Sequence, residues 1–285
     1  MSTVVVTGTS TGIGYSTARV LTHRGVRVFG SVRREADGDR VRRELGSLFT
    51  PLVFDVTDSG AVHRAAAEVA AVLDGRTLSG LVNNAGIAVP GPLLHVSIED
   101  FRRQIEVNLI GQLIVTQAFA PLLGADVDRQ GPAGRIVMMS SVGGRNAAPF
   151  VGPYSASKFG LEGLSESLRR ELMIYGIDVI VIGPGDVATP IWQKALKSDF
   201  RPFADTPYAA PLTVMKEIAV EAERRGLPAD RIGHAVLSAL TSPRPKTRYT
   251  IAPNPVTVFL VNHLPKRFVD SLIAKRLRLP RLRKP

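Results

Sequence analysis

Short β-branched and aliphatic runs alternate along this chain with longer stretches in which apolar residues recur every three or four positions. The first pattern suits buried strands and the second amphipathic helices. Residues 3–7 predict a first strand, followed by a glycine-rich turn and a helix to His23. Further strands are predicted at 26–32, 51–54, 80–82, 135–139 and 178–182, with a late one at 248–252. Between them fall a polar helix at 37–48, a helix to Leu73 capped by Asp58, and a helix at 229–240. A long helix opens at Ser97 with the form of a capping box and runs to about Leu123; another spans 151–175. Such alternation implies an α/β fold: one doubly wound parallel sheet of about seven strands with helices on both faces. The pattern breaks down over 185–226, where Pro190, Pro202, Pro207 and Pro211 interrupt it. An irregular insertion of that length predicts a lid over a functional site. The expected organisation is one domain at 1–253, with its lid at 186–226, and an extension at 254–285.

Composition narrows the possibilities. The 285 residues are 45% hydrophobic and 21% charged, as in ordinary soluble proteins. There is no cysteine, which excludes disulfides and thiolate metal sites. His23, His63, His95, His234 and His263 have no ligand spacing, so no metal is expected. The chain enters its first strand by Val4, leaving no room for a signal peptide, and its apolar runs fall short of the ~20 residues of a membrane span. A cytoplasmic protein is expected. The net charge of +11 is uneven: 266–285 holds eight Lys and Arg against Asp270, a net +7 that leaves +4 for the rest. In that tail Phe268, Val269, Leu272, Ile273 and Leu277 share a helical face rimmed by Lys266, Arg267, Lys275 and Arg278, and Pro280 ends it. Such a helix can lie on an anionic membrane as a peripheral contact, or pack against the substrate pocket or a partner subunit. No aromatic interleaving accompanies the charge, so nucleic acid is not an expected partner.

Candidate chemistry sits at both ends of the predicted sheet. Gly8, Gly12 and Gly14, with Thr9, Ser10, Thr11 and Ile13 between them, lie at a strand-to-helix turn. Glycines there admit a pyrophosphate close to the backbone, and the helix N-terminus supplies N–H groups and a positive dipole end. The second strand ends in Arg33 and Arg34 rather than in an acid. A guanidinium suits a ribose 2′-phosphate, which favours NADP over NAD, with Arg33 the better placed. Asp55 and Val56, after the third strand, would lie beside an adenine. Tyr154 and Lys158 are four apart at a helix start and share a face. The ammonium is expected to lower the phenol's pKa and make it an acid/base.

Five ordered motifs then resemble the short-chain dehydrogenase/reductase family, over about two-thirds of the chain. They are T-G-x-x-x-G-x-G at 7–14, N-N-A-G at 83–86, Asn108, a serine followed by Y-x-x-x-K, and P-G-x-V-x-T at 184–189. The resemblance implies a Rossmann-like fold and an NAD(P)-dependent oxidoreductase. The family's catalytic serine lies 13 residues before its tyrosine, which selects Ser141 with Ser140 as runner-up. The resemblance implies that Ser141 bonds the substrate oxygen, Tyr154 is the acid/base, Lys158 holds the nicotinamide ribose and Asn108 holds a relay water. It places Asn84, Ala85, Gly86, Pro184, Gly185, Val187 and Thr189 around the cofactor, with Thr189 on the carboxamide, and Gly143 beside the substrate. Residues 141–144, 154–163 and 248–252 are similar to the 17β-hydroxysteroid and retinol dehydrogenase branch. A bulky apolar alcohol or ketone is the implied substrate, and a homodimer or homotetramer the implied assembly. Ile191, Trp192, Phe200, Phe203, Tyr208 and Met215 of the lid are candidates to enclose that substrate, or merely to pack the lid onto the body. Two other readings stay open: a non-catalytic NADP-binding regulatory protein, and a membrane-surface protein acting through its tail.

Overall fold

The computed structural model describes residues 2–197, 199–280 and 282, and among these seven strands form one all-parallel sheet. They are β1 (Thr3–Val6), β2 (Arg27–Val32), β3 (Phe49–Val53), β4 (Gly80–Asn83), β5 (Arg135–Met139), β6 (Asp178–Pro184) and β7 (Arg248–Ile251). Their order is β3-β2-β1-β4-β5-β6-β7, which reverses direction at β1 and β4 and opens a crevice beyond their carboxyl ends.

The pleat of β1 sends Val4 and Val6 to one face and Val5 to the other. The Val4 face packs α1 (Gly12–His23), α2 (Glu35–Leu45) and α9 (Ala229–Thr241) through Leu21, Val41, Ile232 and Val236. The Val5 face packs α3 (Ser59–Leu73), α5 (Gly111–Phe119) and α6 (Gly152–Glu171) through Val62, Val69, Phe119 and Leu161. Cover on both faces is why the strands read as continuous apolar runs. Asp58 caps α3 by accepting the Ala61 N–H at 2.9 Å, and Ser97 caps α4 (Ile98–Ile105) by accepting that of Asp100 at 3.0 Å.

Four expectations need correction. Strand β3 begins at Phe49, two residues early, because the fully buried Phe49 ring fills the space beside Gly30 of β2. The long helix from Ser97 is continuous but irregular: α4 passes through a π turn at Glu106–Ile110 into α5 and a 3-10 turn at Ala120–Leu123. Taken together, Ile98–Leu123 is long and apolar enough to cross a bilayer, contrary to the reading of short apolar runs. Its apolar side is spent on the sheet instead, with Val115, Phe119 and Leu123 buried.

The segment expected to be irregular is mostly helical, comprising α7 (Ile191–Leu196), a 3-10 turn at Arg201–Phe203 and α8 (Ala209–Arg225). Its prolines start helices rather than break them: Pro190 precedes α7, Pro202 opens the 3-10 turn, and Pro211 lies in the first turn of α8, where no N–H partner is lost. The chain closes with α10 (Pro255–His263) and α11 (Lys266–Leu277). The tail's apolar stripe divides. Val269 and Leu277 are buried and Ile273 is half-buried, the last two in a cluster with Phe150, Phe203, Leu212 and Met215, while Phe268 and Leu272 face outward. The basic residues Arg281, Arg283 and Lys284 lie outside the described residues.

Candidate active site

A cleft of about 1710 Å³ runs along the carboxyl edge of the sheet, past the crevice, to α8 and the C-terminal helices. Its adenosine end is built on the turn after β1. Gly8 (φ 72°) and Gly12 (φ 62°) take left-handed conformations that favour glycine. A Cβ on Gly14 would stand 2.2 Å from the Gly8 carbonyl oxygen, so only glycine lets α1 start this close to the loop. The first turn of α1 holds no acidic side chain, which keeps its N–H end attractive to anions. Ser10, Thr11 and Ile13 line the cleft with these glycines. Thr9 does not: it is fully buried, and its hydroxyl donates to the Ser31 carbonyl at 3.1 Å, tying the turn to β2. Arg33 and Arg34 both line the cleft, but Arg34 is paired with Asp37 at 2.8 Å. Arg33 has no ion pair among the described residues, which leaves its guanidinium the freer of the two. Asp55 and Val56 line the same end, with the Asp55 carboxylate accepting the Thr57 N–H at 3.0 Å.

Strand β4 ends in a loop whose Asn84, Ala85 and Gly86 form the cleft wall. Asn84 Nδ2 donates to the Thr7 carbonyl at 2.8 Å, and the Thr7 hydroxyl accepts the N–H groups of Asn84 and Ala85 at 2.9 Å each. Asn108 is not at the cleft surface. It is fully buried on the π turn, where Oδ1 accepts the Ile87 N–H at 2.9 Å and Nδ2 donates to the Ile87 carbonyl and Ser157 hydroxyl at 3.0 and 3.1 Å. Those bonds clamp the wall loop onto α6 through the Asn108 side chain. It does not act alone. One turn before it Gln104 accepts the Val89 N–H at 2.7 Å and donates to the Ile87 carbonyl at 3.0 Å, and one turn after it Gln112 donates to the Ala85 carbonyl. The signal for these missed residues was present: three amides spaced by four along one continuous helix share one face.

The chemistry end brings together Ser141 after β5, Tyr154 and Lys158 on α6, and Pro184, Gly185, Val187 and Thr189 at and beyond the end of β6, all in the cleft wall. Of the serine pair, Ser141 hydrogen-bonds the Tyr154 phenol and accepts the Gly143 N–H at 3.0 Å. Ser140 also borders the cleft, but its hydroxyl is buried with no partner among the described residues. Gly143 stands so close that a Cβ there would touch the Tyr154 ring at 3.5 Å. Lys158 is buried; its Nζ donates to the Met139 carbonyl at 2.7 Å and lies 5.8 Å from the Tyr154 ring centre. Burial lowers its pKa to about 8, opposed by the Glu162 carboxylate. The phenol does not show the expected depression. Burial raises the Tyr154 pKa, the Ser141 hydrogen bond pulls it down, and Lys158 is not among the causes.

Behind these groups lies a pair that the sequence reading missed. Arg248 of β7 grips the Glu162 carboxylate through Nε and Nη2, each at 3.1 Å, with both side chains largely buried. The same guanidinium reaches the Ser141 carbonyl at 3.4 Å. Glu162 stands one turn beyond Lys158 on α6, so the pair braces serine and lysine from behind.

Of the lid candidates, Ile191 meets the cleft and the others whose side chains are described pack the lid onto the body. Ile191 and Ala195 border the cleft, and α8 presents Glu217, Ile218, Glu221, Ala222 and Arg225. Phe200, Phe203, Tyr208 and Met215 instead pack the lid onto Phe150 and α11. The side chain of Trp192 lies outside the described residues. Asp186, exposed to the cleft yet packed about by protein, has its pKa raised by burial and lowered by Arg276 of α11.

This geometry agrees with the comparisons. Residues 2–199 match the model of the short chain dehydrogenase family. The chain belongs to that family. It is similar, at 39% identity over 279 residues and 98% of each chain, to an NADPH-dependent 3-dehydrocapnine reductase of Ornithobacterium rhinotracheale. It is similar at 32% identity to a retinol dehydrogenase (type 5) of Homo sapiens, covering 95% of this chain and 87% of that one. A human 17-beta-hydroxysteroid dehydrogenase (type 6) is 31% identical over the same shares, which places this short-chain dehydrogenase in the branch of those enzymes. A Burkholderia phymatum short-chain dehydrogenase/reductase solved with NAD shares the fold with a TM-score of 0.78 at 22% identity, each chain covered to 95%. The protein is thus an oxidoreductase of the hydride-transfer kind, built on a nicotinamide-nucleotide fold and acting on a small molecule.

Proposed function

We propose that this dehydrogenase is an NADPH-dependent reductase of hydrophobic ketones, steroid-, retinoid- or long-chain in type, able to run in reverse on the matching alcohols. The observation that carries the reading is the convergence of Ser141, Tyr154 and Lys158 in one cleft with the glycine turn and an unpaired Arg33. The residues present fit the cofactor: two left-handed glycines and a close-packed third make a cradle that a Cβ would fill. Arg33 would hold the 2′-phosphate, the 8–14 turn the pyrophosphate, and Thr189 the carboxamide. A bound nicotinamide would supply the hydride for the carbonyl carbon. The chain's own part is to supply the proton. Tyr154 donates its phenolic proton to the carbonyl oxygen, and Ser141, oriented by the Gly143 N–H, donates a hydrogen bond to that oxygen as charge develops there. Lys158, 5.8 Å from the Tyr154 ring centre, would hold its positive charge near the phenolate that results.

The name of the Ornithobacterium relative, with NADPH and a 3-dehydro substrate, supports both cofactor and direction. The cleft adds a refinement: Asp186, Glu217 and Arg276 among apolar neighbours suit a long-chain ketone that carries a polar or charged end. We extend the reading to a cytoplasmic homodimer or homotetramer through α5 and α6, supported by the exposed Phe159 and by Ile110 beside α5. A panel of ketones assayed with NADPH and NADH tests the proposal, with Tyr154→Phe as control. The expected result is turnover with NADPH, lost by about 10²–10⁴-fold in Tyr154→Phe while NADPH still binds. Undiminished turnover in the variant would remove Tyr154 as the proton donor, whereas NADPH binding without turnover of any ketone would return the protein to the cofactor-binding regulatory class.

A further inference from the structure

The C-terminal helices carry a surface that the active site does not use. Helix α10 is apolar in sequence, yet none of its residues is buried. Val256, Phe259 and Leu260 are 67%, 59% and 47% exposed, and on α11 Phe268 and Leu272 are each 51% exposed. Single exposed apolar side chains are ordinary, but five large ones on two consecutive helices make these helices a candidate docking surface. The inward side of α11 is already satisfied by Leu277 and Ile273 against the lid cluster, so this outward face is not needed to hold the helix in place.

Charge decides what covers it. Lys266, Arg267, Lys275 and Arg278 flank the α11 apolar residues in sequence, with Asp270 the one acid among the described residues of 266–280, while Arg276 turns to the cleft and Asp186. A second copy of this chain would bring the same cations face to face, since a two-fold interface pairs a patch with itself. An anionic bilayer supplies the opposite charge together with an apolar interior. The location has a use as well. Thr257 and Val258 of α10 and Arg276 of α11 belong to the cleft wall, so the face lies at the cleft mouth.

We propose that α10 and α11 dock the enzyme on an anionic lipid bilayer, presenting the cleft mouth to the membrane so that an amphiphilic ketone enters without crossing bulk water. The delivery role rests on the proposed reductase activity, whereas docking does not. Co-sedimentation of the full chain with vesicles of equal parts phosphatidylglycerol and phosphatidylcholine, against pure phosphatidylcholine, tests docking directly. Most of the protein is expected to pellet with the anionic vesicles and little with the neutral ones. Two double variants, Phe259→Ser with Leu260→Ser and Phe268→Ser with Leu272→Ser, are each expected to cut binding by at least about tenfold. Lys266→Gln with Arg267→Gln is expected to cut it by about fivefold per cation. Each variant should keep the wild-type circular dichroism and reduce a water-soluble ketone at the wild-type rate. Equal pelleting of wild type and variants, or equal pelleting with both vesicle types, would overturn the proposal. So would sedimentation velocity showing that the serine variants dissociate an oligomer, for then the face pairs with a second copy. Vesicle binding by an enzyme inert toward every ketone would leave docking standing and remove the reductase reading.

Discussion

Lys158 is kept charged at a cost in stability, and replacing it with methionine exposes that cost. Its side chain is 4% exposed, and burial brings its pKa from 10.5 to about 8. The gap corresponds to about 3 kcal/mol that the folded chain gives up at neutral pH to hold the proton. The sign follows from proton counting. Below pH 8 both folded and unfolded chains carry the proton and the whole cost is felt. Between pH 8 and 10.5 the unfolded chain keeps a proton that the folded chain has released, so wild-type stability gains as pH rises. Lys158→Met keeps the apolar stem and removes the charge, at the expense of the 2.7 Å bond to the Met139 carbonyl, worth about 1 kcal/mol. The variant should therefore be more stable than wild type by about 2 kcal/mol at pH 7, and about equal to it at pH 9.5. Urea unfolding followed by circular dichroism at the two pH values gives both differences, and comparing the two proteins cancels the titrating groups that do not feel Lys158. An advantage for the variant that is the same at both pH values, within about 0.5 kcal/mol, would refute the argument, since desolvation of an ammonium must vanish once the proton is gone. Catalysis should be lost at both.

Two further changes test the supporting parts. Arg248→Met removes the closer of two guanidinium partners of the buried Glu162 carboxylate, leaving Arg145 at 3.6 Å, and should destabilise the fold by about 2 kcal/mol, seen as a melting temperature lower by roughly 4–8 °C; adding Glu162→Gln should restore most of it, and a melt unmoved by the single change would show the pair to be idle. Arg33→Ala should weaken NADPH binding by roughly 10–100-fold, the worth of a charge-assisted bond, with little effect on NADH; calorimetric titration of both nucleotides checks this, and an unaltered preference would remove Arg33 from the 2′-phosphate.

Much of this architecture was legible in the sequence because local pattern and global fold agree. The buried strands are continuous apolar runs, so β5 was placed to the residue, and the caps at Asp58 and Ser97 announced α3 and α4. The glycine turn and the Tyr154–Lys158 spacing carry chemistry in their local geometry, and both fall in the cleft as predicted. What was hidden depends on partners far away in the chain. The prolines of the lid looked like breakers because nothing local says that Pro190, Pro202 and Pro211 stand at helix starts. The lid aromatics looked like a substrate cage because only the docking of α11 reveals which side of α8 is spent. Asn108 was found by motif, yet its role as one of three amides bonded to the wall loop needed the fold. The Tyr154 phenol shows the limit most plainly: spacing predicts a neighbouring cation, whereas burial depth, which sets the direction of its shift, is a property of the folded chain.

The reach of Arg248 back to Ser141 and Glu162 also fixes the order in which the enzyme can come to life. Strand β7 is translated 107 residues after Ser141, on the order of 5–20 s later at cellular rates. A nascent chain that already owns its glycine turn, serine, tyrosine and lysine still lacks the brace behind them. By lodging the brace in the last strand of the sheet, this sequence ties activity to near-complete synthesis, and a chain cut short before β7 would carry the motifs of a dehydrogenase without their alignment.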